Sequence, residues 1–377
     1  MALSGGVDSS VAAALLVKQG YSVTAAYMVN YDDRAYAKAT AGKSEVASHA
    51  IARSATACWV PDYRDAVRVA AHLNIPIIKL DFTKEYKAKV LDYMFAEYNA
   101  GRTPNPDVLC NKFIKFGAWL EKAKQLGFDK LATGHYAQLG QKNLNSKSKT
   151  LNKTQFPVSN FQLLTAKDDN KDQTYFLHQL NCSQLSHVLF PLGNYTKPQV
   201  RKLAKKFSLA TAEKEESMGI CFVGEVPMKE FLAKEIKSEK GKIVLSSGEV
   251  VGEHDGLPFY TIGQRNLAIK TKANRPLYVL DKKPNTNELV VGYEDDPLLY
   301  KKDVEIIDVN WVGGKQPDFP LTCEARLRHR QSLQKVLVDK KKGKIILKFV
   351  APQRAVTPGQ FAVLYKNKEC LGGGVIA

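Results

Sequence analysis

Helical and strand-like runs alternate through the first two-thirds of the chain. Ser9–Gln19 predicts a helix closed by Gly20, a residue suited to the position after a helix end. Tyr21–Val29 reads as a strand, Arg64–Leu73 as a helix and Pro76–Leu80 as a short buried strand. Lys84–Tyr98 and Asn111–Gln125 predict helices, and Lys130–Thr133 another strand. Such alternation implies a parallel sheet with helices on both faces.

From about residue 240 the texture changes. Gly241–Ser246, Leu277–Leu280, Leu289–Val291, Val304–Val309 and Lys344–Val350 read as strands, separated by turns such as Asn285-Thr286-Asn287 and Lys340–Gly343. The expected fold class is therefore α/β, a parallel-sheet domain followed by one or two small β-barrels or sandwiches. Gln141–Asn160 is polar and rich in Lys, Asn, Ser and Thr. It predicts a solvated hairpin tip, or an arm that touches RNA through Lys142, Lys147, Lys149 and Lys153. Only Met1, Ala2 and Leu3 precede the first glycine loop, so the first strand reads as clipped and a longer natural start is expected.

Composition narrows the function. With 44% hydrophobic and 25% charged residues, the chain is neither a disordered tail nor a collagen. No apolar run approaches a membrane span; Val11–Val17 is the longest near the start. The formal net charge of +17 favours an acidic partner, nucleic acid first. Six scattered cysteines without a Cys-x-x-Cys pair suggest a reducing compartment and working thiols rather than structural bridges. No targeting segment is visible, which points to the cytoplasm.

Several segments carry chemistry. Ser4-Gly5-Gly6-Val7-Asp8-Ser9-Ser10 sits between a strand and a helix, where backbone N–H groups form an anion nest. It is neither a Walker A loop nor Gly-x-Gly-x-x-Gly, and it resembles the PP-loop of enzymes that split ATP into AMP and pyrophosphate. Asp8 would then help hold a magnesium–pyrophosphate group. Thr133-Gly134-His135-Tyr136 follows a strand end, where such sheets bind ligands. Gly134 permits close approach, and His135 is either structural or substrate-facing.

In Gly101 through Lys112, Pro104 and Pro106 stiffen the approach and Cys110 falls just before or at an expected helix N-terminus, which lowers a thiol's pKa; the alternative is a small buried hydrophobe, and Asp107 is a candidate acid/base. Cys221, in Ser217–Phe222, is a second thiol or a buried strand residue. Asp172 in Lys171–Leu177 could cap a helix. Gly256–Arg265 reads as a turn platform. Arg326, Arg328, His329, Arg330 and Gln331 form a basic cluster suited to phosphates, or a solvated strand face.

Taken together, these segments resemble the tRNA-specific 2-thiouridylase family, nearly end to end, and the resemblance implies a Rossmann-like PP-loop domain over 1–225 followed by small β-rich, barrel-like domains over 226–300 and 301–377. The PP-loop, Asn105–Lys112, Thr133–Tyr136, Lys171-Asp172-Gln173, Gly219–Phe222, Tyr260–Arg265 and Leu371–Ile376 carry the resemblance in order. It implies a sulfurtransferase that adenylates the C2 oxygen of the wobble uridine with ATP and magnesium, then delivers persulfide sulfur. On that resemblance Ala2, Leu3, Ser4, Gly5, Gly6, Val7, Asp8, Ser9, Met28 and Gly134 bind ATP. Asn105, Pro106 and Asp107 meet the base, Cys110 is the nucleophile and Cys221 carries a persulfide from a donor protein, with a Cys110–Cys221 disulfide as the by-product. His135, Lys171, Asp172, Gln173, Arg328, His329 and Gln360 contact tRNA. No protein metal site is implied. Ala2 stands where the family usually has glycine, and Phe113 where a polar residue is common. Another PP-loop enzyme acting on a small molecule explains the glycine loop but not the thiols. A non-catalytic RNA-binding scaffold explains the charge but leaves Asp8, Cys110 and Cys221 idle.

Overall fold

A computed structural model describes residues 1–32, 57–141, 161–215, 228–233, 235–265, 267, 269 and 275–377. Cys221 and residues 142–160 lie outside them, so the expected persulfide thiol and most of the expected Lys-rich tip fall outside the described residues.

The first domain begins with Met1–Leu3 in a sheet. Ala2 N–H donates to Ala132 O (2.8 Å), Leu3 N–H to Ala26 O (3.0 Å) and Ala26 N–H to Met1 O (2.8 Å). Short as it is, this segment stands between β1 (Ala25–Val29) and β3 (Leu131–Ala132). β2 (Ile77–Asp81) pairs parallel with the far side of β1, and β6 (Val188–Leu189) pairs parallel with β3. β1 is buried throughout, as a central parallel strand demands. β2 is only half-buried and its Lys79 lies over the Trp59 ring (4.8 Å), so the expected buried strand is a partly solvated one.

Helix α1 (Val7–Lys18) follows the glycine loop and stops before Gly20, whose φ of +82° is open to glycine without strain. Helix α2 (Val60–His72) connects to β2. A helical run over 83–99 precedes α3, a continuous run over 106–125. α3 begins earlier than the sequence pattern suggested. Asn105 is the N-cap, its Oδ1 accepting from Val108 N–H (3.3 Å), and Pro106 fills the first turn. The stretch Cys110–Trp119 is wound as a π-helix, a widening often found at functional sites.

β4 (Gln138–Gln141) and β5 (Phe161–Leu164) form the hairpin base that flanks the Lys-rich stretch. The middle domain holds β7 (Gly241–Leu245), β8 (Val250–His254), β9 (Tyr278–Lys283) and β10 (Glu288–Gly292), ordered β8-β7-β10-β9. The last domain holds β11 (Tyr300–Trp311), β12 (Leu321–Arg326), β13 (Gln334–Lys341), β14 (Lys344–Arg354), β15 (Phe361–Lys366) and β16 (Glu369–Ile376). β16 returns to pair with β11, which closes the barrel.

Barrel and first domain share a core. β5 adds to the outer edge of β16 through Leu164↔Glu369 and Leu163↔Cys370. Tyr175, Leu177, Phe361, Val363 and Tyr365 belong to one cluster with Cys110 and Trp119. The Gly372–Gly374 run is explained by this close packing. A Cβ on Gly372 would sit 2.0 Å from Asn310 O, and one on Gly373 would sit 2.3 Å from Ala362 O.

Candidate active site

The glycine loop opens into a cleft of about 160 Å³ lined by Ala2, Leu3, Ser4, Asp8, Ser9, Met28, Thr133, Gly134, His135 and Gln173, with Lys115 and Trp119 from α3. Most of the residues expected at a nucleotide therefore meet on one wall. Gly5, Gly6 and Val7 shape it from behind. Gly5 has φ +77°, and a Cβ there would lie 2.1 Å from Asp62 O. Gly6 is the N-cap of α1, and Val7 is buried beneath the loop. Ser9 Oγ accepts from Ser4 N–H (3.2 Å) and donates to Gly6 O (3.0 Å), which holds the loop open with its amides at the helix start. Gly134 is obligatory, because a Cβ would come within 2.8 Å of Ser9 N.

Charges around the loop are paired. Lys197 Nζ donates to both Asp8 oxygens (2.7 and 2.8 Å), and Tyr136 Oη–H donates to Asp8 Oδ1 (2.9 Å). A metal at Asp8 would have to displace Lys197. No cluster of three or more His, Cys, Asp or Glu side chains able to hold a metal ion occurs among the described residues. The loop amides and hydroxyls at the helix start suit a polyphosphate. Lys214 Nζ donates to Gly5 O (3.1 Å) and pairs with Asp62 and Asp65 (both 2.7 Å), tying the loop to α2. Lys197, Lys214 and Tyr136 were missed as functional residues. The two lysines carry no local motif, and their partners lie far away in sequence.

His135 is buried, with Nδ1 2.7 Å from Thr133 Oγ1 and its ring near Phe116 and Phe190. Burial, reinforced by Lys115, holds its pKa well below the usual imidazole value. It is a neutral wall residue of the cleft.

Cys110 departs most from expectation. With Asn105 as cap, it lies more than a turn inside α3 and is fully buried. Burial pushes its thiol up to about 12. Lys115 pulls the other way and Asp107 adds to the rise. Desolvation beats the helix dipole, so the thiol at rest is protonated rather than activated. Asn30 Nδ2 lies 3.8 Å from its sulfur.

The remaining candidates gather at the seam with the barrel. Gln360 Nε2 donates to Thr103 O (2.8 Å) and Pro104 O (3.2 Å), holding the approach to Asn105, Pro106 and Asp107. His329 packs on Phe176 with ring centroids 4.6 Å apart. Burial lowers it to about 4; Arg330, Arg326 and Lys171 push the same way, and Asp107 opposes. Asp107, Lys171 and His329 thus face one region.

Asp172 turns inward. It accepts from Ala166 N–H (3.1 Å) and Thr174 Oγ1 (2.7 Å), and it faces Arg326 (3.7 Å). It does hold the start of the short helix Thr174–Leu177, through Thr174 N–H (3.4 Å). Gln173 Oε1 accepts from Tyr136 N–H (2.9 Å). Arg328 Nη2 donates to Ile262 O, Ala355 O and Thr357 Oγ1 at 2.7–2.9 Å, stitching the middle domain to the barrel. Of the expected basic cluster, Arg326 and Arg328 are spent on structure, and Arg330 projects outward.

Comparison with known proteins agrees with this layout. Residues 1–225 match the family described as tRNA methyl transferase HUP domain. Residues 229–293 match its PRC-barrel domain, and residues 301–376 match an aminomethyltransferase beta-barrel domain. The tRNA-specific 2-thiouridylase MnmA of Geobacillus thermodenitrificans is 43% identical over 377 residues, covering 99% of this chain and 93% of that protein. The protein of the same name from Shouchella clausii is 44% identical over 376 residues, covering 99% and 94%. That of Nitrosomonas eutropha is 41% identical over 380 residues, covering 99% and 96%.

Proposed function

Because the chain belongs to the tRNA-specific 2-thiouridylase family, we propose that it replaces the C2 oxygen of the wobble uridine of tRNA with sulfur at the expense of ATP. The observation that carries this reading is α3. One helix brings Lys115 and Trp119 to the glycine-loop cleft and buries Cys110 in the apolar core beside it. Four residues separate Cys110 from Lys115, about one turn of the π-wound stretch. Activation and sulfur chemistry then share one rigid element.

ATP enters as its magnesium complex. Ala2–Ser9, Met28 and Gly134 hold it, with the loop amides on the phosphates. The base, flipped out of the anticodon loop, meets Asn105, Pro106 and Asp107. Its C2 oxygen attacks the α-phosphorus and pyrophosphate leaves. The terminal sulfur of a persulfide on Cys221, loaded by a donor protein, then bonds to C2 and AMP leaves. Cys110 closes the cycle by forming a disulfide with Cys221; the two electrons released complete the reduction of the transferred sulfur. A dithiol reductant resets the pair. Protons leave from the base and the thiols to solvent.

His135, Lys171, Gln173, His329 and Gln360 line the route to tRNA, while Asp172 and Arg328 act through the loops they hold. The net charge of +17 suits the RNA backbone and makes binding salt-dependent. No helix among the described residues is long and apolar enough to cross a membrane; the substrate class favours a cytoplasmic setting.

Pyrophosphate release tests the first step. It is expected with an anticodon stem-loop bearing uridine at the wobble position and not with cytidine there. Equal release with both loops, or without RNA, contradicts the proposal and favours a small-molecule substrate.

A further inference from the structure

Asn30 follows β1, two residues after Met28 on the cleft wall. Its side chain is 2% exposed, and its Oδ1 has no hydrogen-bond partner among the described residues. The contact its amide does make is Nδ2 to Cys110 Sγ, at 3.8 Å. The residue after the thiol repeats part of this pattern. Asn111 is 3% exposed and donates to Phe176 O (3.2 Å), and its Oδ1 is also unpartnered. Side-chain amides this deep normally satisfy both ends. Asn30 instead leaves its acceptor idle and points its donor at sulfur, a weak acceptor as a thiol and a strong one as a thiolate.

We propose that Asn30 is a positioning residue for Cys110, its amide N–H orienting the sulfur and carrying the negative charge that develops on it during sulfur transfer. This rests on the reading of Cys110 as a reacting thiol. The pocket leaves few other means. Among the described residues, the charged groups acting on the sulfur are Lys115, favouring the thiolate, and Asp107, opposing it, both from its own helix. The strand end brings an amide and no charge. Where desolvation dominates, a hydrogen bond to the charged form is the lever that remains. Hydrogen bonds to ionised groups are the strong kind.

The test uses the full chain with Asn30→Asp, isosteric and without a donor once its carboxyl is ionised, and Asn30→Ser, which keeps a short donor. Pyrophosphate release reads adenylation, and single-turnover 2-thiouridine formation across pH reads sulfur transfer. Expected are pyrophosphate release within about twofold of the native chain and thiolation slowed roughly ten- to a hundred-fold in Asn30→Asp. Its pH profile moves to the alkaline side, and Asn30→Ser recovers part of the rate. Thiolation unchanged in both variants overturns the proposal, as does an equal fall of both steps without a shift in pH profile. Should Asn30→Asp fail to fold, Asn30→Ser decides alone: a native rate and profile overturn the assignment. A native chain that makes no 2-thiouridine contradicts the proposed function instead. The rate of Cys110 methylthiolation by methyl methanethiosulfonate, compared between native chain and variants, then tests Asn30 independently, equal rates overturning it.

Discussion

The glycine-loop cleft and the Cys110 pocket share one helix and treat polar groups in opposite ways. Around the glycine loop the charges are paired: Asp8 with Lys197 and Tyr136, Lys214 with Asp62 and Asp65. The cleft walls are backbone amides and hydroxyls held apart by glycines, ready for a ligand that brings its own charge. Around Cys110 the thiol is fully buried and pushed up to about 12, and two amide oxygens lack partners among the described residues. The cleft suits binding and activation of a polyphosphate. The pocket suits a step that must exclude water, because an activated base would otherwise be hydrolysed. One protein separates the demands by placing them on successive turns of α3.

The comparison can be broken at several points. The largest effect is expected from Cys110→Ser, which should abolish multiple-turnover thiolation while pyrophosphate release persists; full turnover would remove the thiol from the chemistry. Next comes acid. His178 is buried at the seam, with Nδ1 2.6 Å from Tyr175 O, and burial lowers it to about 4 from 6.5; the Tyr175 carbonyl opposes and Lys112 assists. A depressed histidine binds its proton more readily when unfolded. Stability is therefore complete above about pH 6.5 and falls as pH drops toward 4, by about 3 kcal/mol from this group. Denaturant melts of native and His178→Gln chains across that window should converge at low pH; parallel curves would refute the assignment.

Lys197→Met leaves Asp8 without its main partner. The pair is partly exposed, so a loss of about 1–2 kcal/mol is expected, below that of a fully buried pair. The KM for ATP should rise roughly tenfold with little change in the rate of sulfur transfer. An unchanged KM, by ATP titration, would detach Asp8 and Lys197 from the cleft's function. Gln360→Ala removes two bonds to the segment before Asn105 and should cost about 1 kcal/mol, with a weaker effect on tRNA affinity than on turnover. Chemical denaturation and RNA binding read the two separately.

Much of this was legible in the residue order, for local reasons. Gly20 closes α1, and the alternation of helices and strands does make a parallel sheet. The glycine loop and the Gly134 turn meet because both lie at strand ends of that sheet. The helix start at Asn105-Pro106 was also written locally, as a cap followed by proline, but the two prolines read as a stiff approach. That misplacement carried Cys110 to a helix end it does not occupy and suggested a lowered pKa, where burial raises it. Lys197 was invisible because its partner Asp8 is 189 residues away. Asp172, Arg326 and Arg328 fold against neighbouring segments, and nothing local in the sequence distinguishes such a charge from an exposed one.

Nucleoside mass spectrometry of tRNA incubated with the protein, magnesium–ATP and a persulfide source tests the central claim most directly. A 2-thiouridine peak that requires both ATP and Cys110 is predicted. Intact tRNA binding with no such peak would contradict the account and leave the chain as an RNA-binding scaffold.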